Sequence, residues 1–312
     1  MRLPSLAALP AAAVLVLLPG TAHGLATDLR APAARPAPVP GPLTAPLPIA
    51  PRPVEPRPDE PEPEDDLPMY RFTGAGFDAC SAPSLEALSV WRTASPYGAV
   101  NIYSSGSQRH CAQDQLTPQW VARVRLMGWQ LVPTHVGLQA PCAQRPDKPL
   151  RIDPEWAEEQ GGQEAEEAAQ ALRTLGLGPG SPVYLDMEAY PAGDEVCSRA
   201  VVDFTAGWTE ALHEAGYRSG FYSSMNSGIA DIVAAARDGR SPLPDAIWYA
   251  RWDGKPTTTG QAGVPDDLWT GHRRIHQYRG GADETYGGVT LNVDRDQVDG
   301  PVAGGPVAVP EP

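Results

Sequence analysis

The sequence predicts an α/β fold, a single TIM-type (β/α) barrel whose second half carries fewer helices. Three observations predict it. Eight short apolar runs have the length and composition of strands, helical patterns separate the first five, and several runs end in a carboxylate. Alternating βα units of this kind close into a barrel whose functional groups gather where the strands end.

The strand candidates in chain order are Phe72–Asp78, Ala99–Tyr103, Gln130–Val136, Val183–Glu188, Arg218–Tyr222, Ile247–Ala250, Arg274–Tyr278 and Val289–Asp294. Helical segments lie between them at Ser84–Thr93, Thr117–Met127, Glu155–Leu175 and Ser198–Ala215. Two open with the hydroxyl and proline signals of helix starts, "PSLEAL" and "LTPQWVARVRLMG", and the third stops at "GLGPG". After Tyr222 the pattern loosens to one short helix, Ile229–Ala236. Gly254–Gly271 and Gly280–Gly288 read as loops rich in glycine, threonine and proline. An open doubly wound sheet is the alternative, but "GAGFDAC" after the first strand leads to an acid and supplies no phosphate loop.

The barrel is expected over residues 69–303, roughly 230 residues and enough for one substantial core. Residues 1–26 have a basic start, an apolar middle and small residues near Gly24 and Ala26, the pattern of a secretory signal peptide. Residues 27–68 are dense in proline and nearly free of aromatics, which reads as an extended, disordered linker. Residues 304–312 read as a flexible tail. The expectation is a secreted protein, extracellular or wall-associated, with no membrane insertion after signal removal. With a net charge of −14 and no basic cluster on any one element, nucleic acid is a poor partner. A monomer is expected.

Four cysteines in an exported chain suggest two disulfides. Cys80, Cys111, Cys142 and Cys197 each follow a strand, so adjacent strand ends favour Cys80–Cys111 and Cys142–Cys197. No Cys-x-x-Cys spacing supports the rival zinc site.

Chemistry is expected where acids converge. Asp78 ends the first strand, Asp186 and Glu188 the fourth, and Asp294 the eighth, with Asp296 just beyond. In "SPVYLDMEAY" Asp186 and Glu188 are two positions apart and should share a face. Such crowding raises one carboxyl so that it keeps a proton while its partner stays ionised, the equipment of glycoside hydrolysis. A divalent cation is the competing occupant of an acid cluster; neither metal nor cofactor is expected here. Tyr103, Tyr190, Tyr222, Trp248, Trp252 and Tyr278 lie at or near strand ends and could stack on sugar faces, with Arg251 and Gln277 adding hydrogen bonds. His135 and His276 read as packed polar residues. The expected ligand is a polysaccharide or cell-wall glycan.

The motifs "GFDACSAPS", "GLQAPC", "VYLDMEAY", "GFYSS", "IWYARWDG", "IHQY" and "VTLNVDRDQVDG" resemble secreted glycoside-hydrolase-like barrel domains of unknown function. More distantly, their order is similar to that of glycoside hydrolase family 25, the lysozyme-type muramidases. That resemblance implies Asp78, Asp186, Glu188 and Asp294 as the catalytic acids and Glu188 as the acid/base. It further implies that Asp186 stabilises the developing cation, or that the N-acetyl group of a substrate does the attacking. A non-catalytic glycan-binding domain that keeps the pocket is the alternative. "YSSGSQRHC" and "GLQAPC" depart from the lysozyme pattern at two loops expected to line the mouth.

Overall fold

The computed structural model describes residues 68–305. The expected signal peptide, nearly all of the Pro-rich segment and most of the tail therefore lie outside the described residues. Eight strands close into a barrel in chain order: β1 (Arg71–Asp78), β2 (Ala99–Ser105), β3 (Gln130–His135), β4 (Pro182–Asp186), β5 (Arg218–Ser224), β6 (Ala246–Ala250), β7 (Arg274–Tyr286) and β8 (Val289–Pro301). Helices α1 (Leu85–Ala94), α2 (Pro118–Leu126), α3 (Ala157–Thr174), α4 (Glu195–Glu214) and α5 (Gly228–Arg237) follow the first five strands. Among the described residues no helix follows β6 or β7, so the second half is reduced as the sequence predicts.

Local chemistry sets the helix starts. Ser84 caps α1 by accepting from the Ala87 N–H, and Thr117 caps α2 through the Trp120 N–H ahead of Pro118. The Asp194 carboxylate caps α4 by accepting from the N–H groups of both Val196 and Cys197. Helices α3 and α4 meet backbone to backbone at Gly161 and Gly207. A Cβ on either would come within 2.0 Å of a carbonyl oxygen of the opposite helix, so no larger residue fits that crossing.

Two departures from the sequence reading matter for the site. The strand β8 is antiparallel to both neighbours, β7 and β1, while the other seam pairs are parallel. Asp294 therefore does not end its strand: it lies mid-strand, directly opposite Asp78, and the rest of β8 runs back down the barrel. The stretch Gly280–Gly288 is not a loop, because β7 continues to Tyr286 and joins β8 through Gly287 and Gly288, at φ +58° and +81°. Two positive φ angles are what a tight primed hairpin turn needs. Register shifts between Gln277 and Ala282 interrupt the alternation there, which is why glycine density masked the strand.

The core has two parts. Trp91, Trp129, Phe204, Trp208 and Leu172 fill the layer between helices and sheet. Inside the barrel Ala99, Val132, Tyr184, Ala246, Trp248, Ile275 and Val298 form an apolar plug that leaves only the upper end open to polar groups. Both disulfides tie loops around that upper end. Cys80–Cys111 joins the segments after β1 and β2, and Cys142–Cys197 joins the segment after β3 to the first turn of α4, the pairing favoured from sequence.

Candidate active site

Above the apolar plug the inward side chains turn polar and line a cavity of about 360 Å³. Asp78 reaches it from β1, Tyr103 from β2, Asp186 from β4, Tyr222 from β5, Gln277 from β7 and Asp294 from β8. Strand β4 stops at Asp186, so Glu188 lies just past its end and not within it as the sequence suggested. The two acids still reach one space. Gln139, fully buried in the "GLQAPC" loop, clamps the backbone between them: its amide accepts from the Glu188 N–H at 2.9 Å and donates to the Asp186 carbonyl at 2.9 Å.

These acids divide into two groups by what touches them. Asp186 and Glu188 carry cations. Lys148, 5% exposed, donates to Asp186 Oδ2 at 3.2 Å and also to Glu188 Oε1, while Arg145 Nη1 lies 2.8 Å from Glu188 Oε2. Burial of Lys148 works against its charge, but the two carboxylates prevail and push its pKa up. Burial raises Asp186 to about 6 in spite of Lys148, with the Glu188 charge adding to the rise. Asp186 Oδ1 is buried and has no hydrogen-bond partner among the described residues.

Asp78, Asp294 and Asp296 instead meet neutral donors and each other. Gln277 Nε2 donates to Asp78 Oδ2 at 2.9 Å and to Asp294 Oδ2 at 3.4 Å, and the Tyr103 hydroxyl donates to Asp78 Oδ1 at 3.4 Å. The N–H of Gly281 donates to Asp294 Oδ1, and the Trp248 indole N–H to Asp296 Oδ1 at 3.0 Å. Burial first and the Asp294 charge second lift Asp78 from its ordinary 3.8 to about 7. Burial also lifts Asp294, and it lifts Asp296 well above the usual carboxylate range with the Asp78 charge adding to it. Tyr103 and Tyr222, raised by burial and then by nearby acids, remain protonated donors.

A stability consequence follows from Asp78. A carboxyl raised in the fold binds a proton that the unfolded chain has released, so its contribution to stability falls as pH rises from about 4 to about 7. Asp78→Asn is therefore expected to stabilise the protein at pH 8 by on the order of 2–4 kcal/mol, with the gain vanishing below about pH 4. Denaturant unfolding across that range checks it; a variant less stable at pH 8 than at pH 4, relative to wild type, contradicts it.

The expected ligand contacts are only partly gathered. Trp252, 67% exposed, stands at the mouth with its indole N–H on Gln277 Oε1 at 3.0 Å, and the Tyr222 hydroxyl donates to the same oxygen at 3.1 Å. Gln277 thus links the exposed ring to buried Asp78. Trp248 is not at the mouth: it belongs to the plug, its ring 4.9 Å from that of Tyr222. Tyr190 is 6% exposed and donates to Asp231 of α5 at 2.6 Å, so it holds a helix and does not line the cavity. Tyr278, next to inward-facing Gln277, is not among the lining residues and meets His276 edge-on. Arg251 lines a second cavity of about 750 Å³ that adjoins the first through Arg145, Glu188, Tyr222 and Trp252.

His135 and His276 are packed as expected. His135 bridges Ser105 and Glu164 at 2.8 Å each, and His276 lies between the Thr257 and Arg251 carbonyls. Sequence reasoning missed Lys148 and Arg145, together with Arg109, His110 and Gln113 of the loop after β2, which also line the cavity. The available signal was "AQRPDKPLR", three basic residues within one short loop of an acidic chain. Among the described residues no group of three or more His, Cys, Asp or Glu has an arrangement suited to a metal ion.

Fold and site together define a glycoside hydrolase-like barrel. The chain belongs to the family described as "Rv2525c-like, glycoside hydrolase-like domain", whose model matches residues 89–298. No curated protein matches it. Among solved structures it is similar to an uncharacterized protein of B. stearothermophilus, at 18% identity over 72% of this chain and 95% of that one, with a TM-score of 0.47. It is also similar to the catalytic domain of endolysin ply40 from bacteriophage P40 of Listeria monocytogenes, at 16% identity over 73% and 93%, TM-score 0.44. The autolysin LytC of Streptococcus pneumoniae is similar at 12% identity over 72% of this chain and 46% of that one, TM-score 0.45.

Proposed function

We propose that the protein is a secreted glycoside hydrolase acting on an N-acetylated glycan such as peptidoglycan. The observation that carries this reading is the convergence of Asp78, Asp186, Glu188 and Asp294, from three separate stretches of chain, on one sugar-sized cavity. Burying several acids together costs stability, as Asp78 illustrates, and glycosidic cleavage gives that cost a use. The open ring of Trp252 offers a stacking face, and the adjoining second cavity gives room for a polymer to continue past Glu188. The unpartnered Asp186 Oδ1 suits a ligand N–H, such as that of an acetamido group. Two disulfides fit an oxidising compartment and support secretion.

Wild-type protein incubated with purified peptidoglycan and chitin oligosaccharides is expected to release new reducing ends. Glu188→Gln is expected to lower that rate at least ~100-fold. Equal release by both proteins removes Glu188 from the chemistry. A second reading, glycan binding without turnover, is favoured by the Lys148 and Arg145 pairs that occupy both Glu188 oxygens. Retention on insoluble wall material, lost in Trp252→Ala, with no reducing ends released, would select it.

A further inference from the structure

We propose that Gln139 is the positioning residue of this site. Its side-chain amide stands in for a strand and fixes Glu188 for acid/base work. The inference rests on the hydrolase reading and keeps for Glu188 the role that family resemblance implies. It starts from a gap in the sheet. Pairing between β3 and β4 ends at His135 and Leu185, so on that side Asp186, Met187 and Glu188 have no strand beside them among the described residues. On the other side the Met187 N–H donates to the Tyr222 carbonyl of β5 at 3.0 Å. Two carboxylates thus lie on a stretch with half of its ladder, and repulsion between them favours movement.

Gln139 fills the gap from the loop after β3. Around Met187 its amide donates to the Asp186 carbonyl and accepts from the Glu188 N–H, both at 2.9 Å. A residue of a parallel strand makes that same pair of bonds, to the carbonyl before and the N–H after the residue it faces. The second Nε2 hydrogen goes to the Gly137 carbonyl at 3.1 Å. The Gln139 backbone N–H donates to the Leu150 carbonyl at 3.1 Å, and its carbonyl accepts from the Ile152 N–H at 2.9 Å. Every polar group of Gln139 is therefore bonded, and the residue is fully buried. Leu150 and Ile152 follow Arg145 and Lys148 in the same loop, so one residue ties the cations to the acids they meet.

Fully buried and absent from the cavity lining, Gln139 acts through Glu188 and not on a substrate. Its contribution is distance and direction. Glu188 reaches the cavity from past the end of β4, and a proton passes to a leaving oxygen only within hydrogen-bond reach. Misplacement of such a group by about 1 Å lowers a rate on the order of 100-fold. Affinity for the glycan depends on other groups, Trp252 and the cavity walls. Loss of Gln139 therefore acts on kcat and leaves KM nearly unchanged.

The test uses the whole protein with Gln139→Met, which keeps the shape and loses both bonds, and Gln139→Glu, which keeps the acceptor. Amide hydrogen exchange followed by NMR reads the placement without turnover. In Gln139→Met the Glu188 N–H is expected to exchange at least ~10-fold faster, while the Met187 N–H stays as protected as in wild type. With turnover, kcat per folded molecule is expected to fall ~100-fold and KM to stay within about 3-fold of wild type. In Gln139→Glu the new carboxyl donates to the Asp186 carbonyl only when protonated. Its kcat relative to wild type should therefore recover at about pH 5 and fall at about pH 8. Unchanged Glu188 exchange in Gln139→Met overturns the placement. A wild-type kcat per folded molecule, with only the folded fraction reduced, overturns the role in the reaction. Should Gln139→Met fail to fold, Gln139→Asn, one methylene too short to span both bonds, replaces it in each measurement. The two ideas fail separately: a wild type that releases no reducing ends removes hydrolysis, while exchange still decides whether Gln139 holds Glu188.

Discussion

Replacing Lys148 with Met is expected to destabilise the protein by about 3–5 kcal/mol at pH 8, the cost of breaking a buried ion pair from one side. Lys148 is 5% exposed and is the cation shared by Asp186 and Glu188, so the change leaves two like charges with only Arg145 on Glu188. Met fills most of the volume, which keeps the effect electrostatic and not a cavity artefact. The sign with pH is diagnostic. Asp186 already sits near 6 with Lys148 present, and removal of the cation raises it further. Relative to wild type, a further-raised Asp186 loses stability only above the wild-type value of about 6, and the loss grows until the variant's own folded pKa is passed. The deficit should therefore be larger at pH 8 and shrink as the solution is taken to pH 5. Urea unfolding at both pH values checks it. A deficit that is equal at both, or larger in acid, would mean that Lys148 contributes by packing alone.

Removing the Cys142–Cys197 bridge, as the double Ser variant, is expected to cost about 4 kcal/mol. Closure of a loop of 55 residues predicts this magnitude from chain entropy. The loop it anchors carries Gln139, Arg145 and Lys148, the three residues that position or neutralise Asp186 and Glu188. Loss of the bridge should therefore lower the proposed glycan cleavage as well as stability, whereas a bridge that is structural only would leave any activity of the folded fraction intact. Measuring unfolding and reducing-end release on the same preparations separates the two. The Cys80–Cys111 bridge closes a shorter separation of 31 residues and joins the segments after β1 and β2, so its removal is expected to cost slightly less.

Much of the barrel was legible because its strands are short apolar runs closed by acids and because its first helices begin with clear caps. All eight strand positions are recovered, and the five helices fall where the periodicity puts them. The parts that were not legible share one cause, dependence on partners distant in sequence. Nothing local in "VTLNVDRDQVDG" states that the strand runs antiparallel, since direction is decided by which neighbours the closing strand meets. The glycines of "RGGADETYGG" look like a loop until β8 supplies the opposite side of the ladder. At the site, Asp78 and Asp186 do end their strands, Asp294 and Gln277 reach the cavity from mid-strand, and Trp248 and Tyr190 show the limit of strand-end reasoning. Their sequence positions match those of mouth residues, and a partner elsewhere, Asp296 or Asp231, takes each polar tip inward. Lys148 was hidden for the same reason. Its role is visible only when a loop thirty-eight residues upstream in the chain folds over Asp186.

The reversed last strand also decides where the barrel can be held. Arg71, where β1 begins, pairs with Pro301, where β8 ends, at the closed end of the barrel beneath the plug. Both ends of the domain thus emerge from the face away from the acids. A tag, a surface linkage or a fused domain grafted at either end would leave the opening unobstructed, so immobilised protein should keep its cavity open to large ligands.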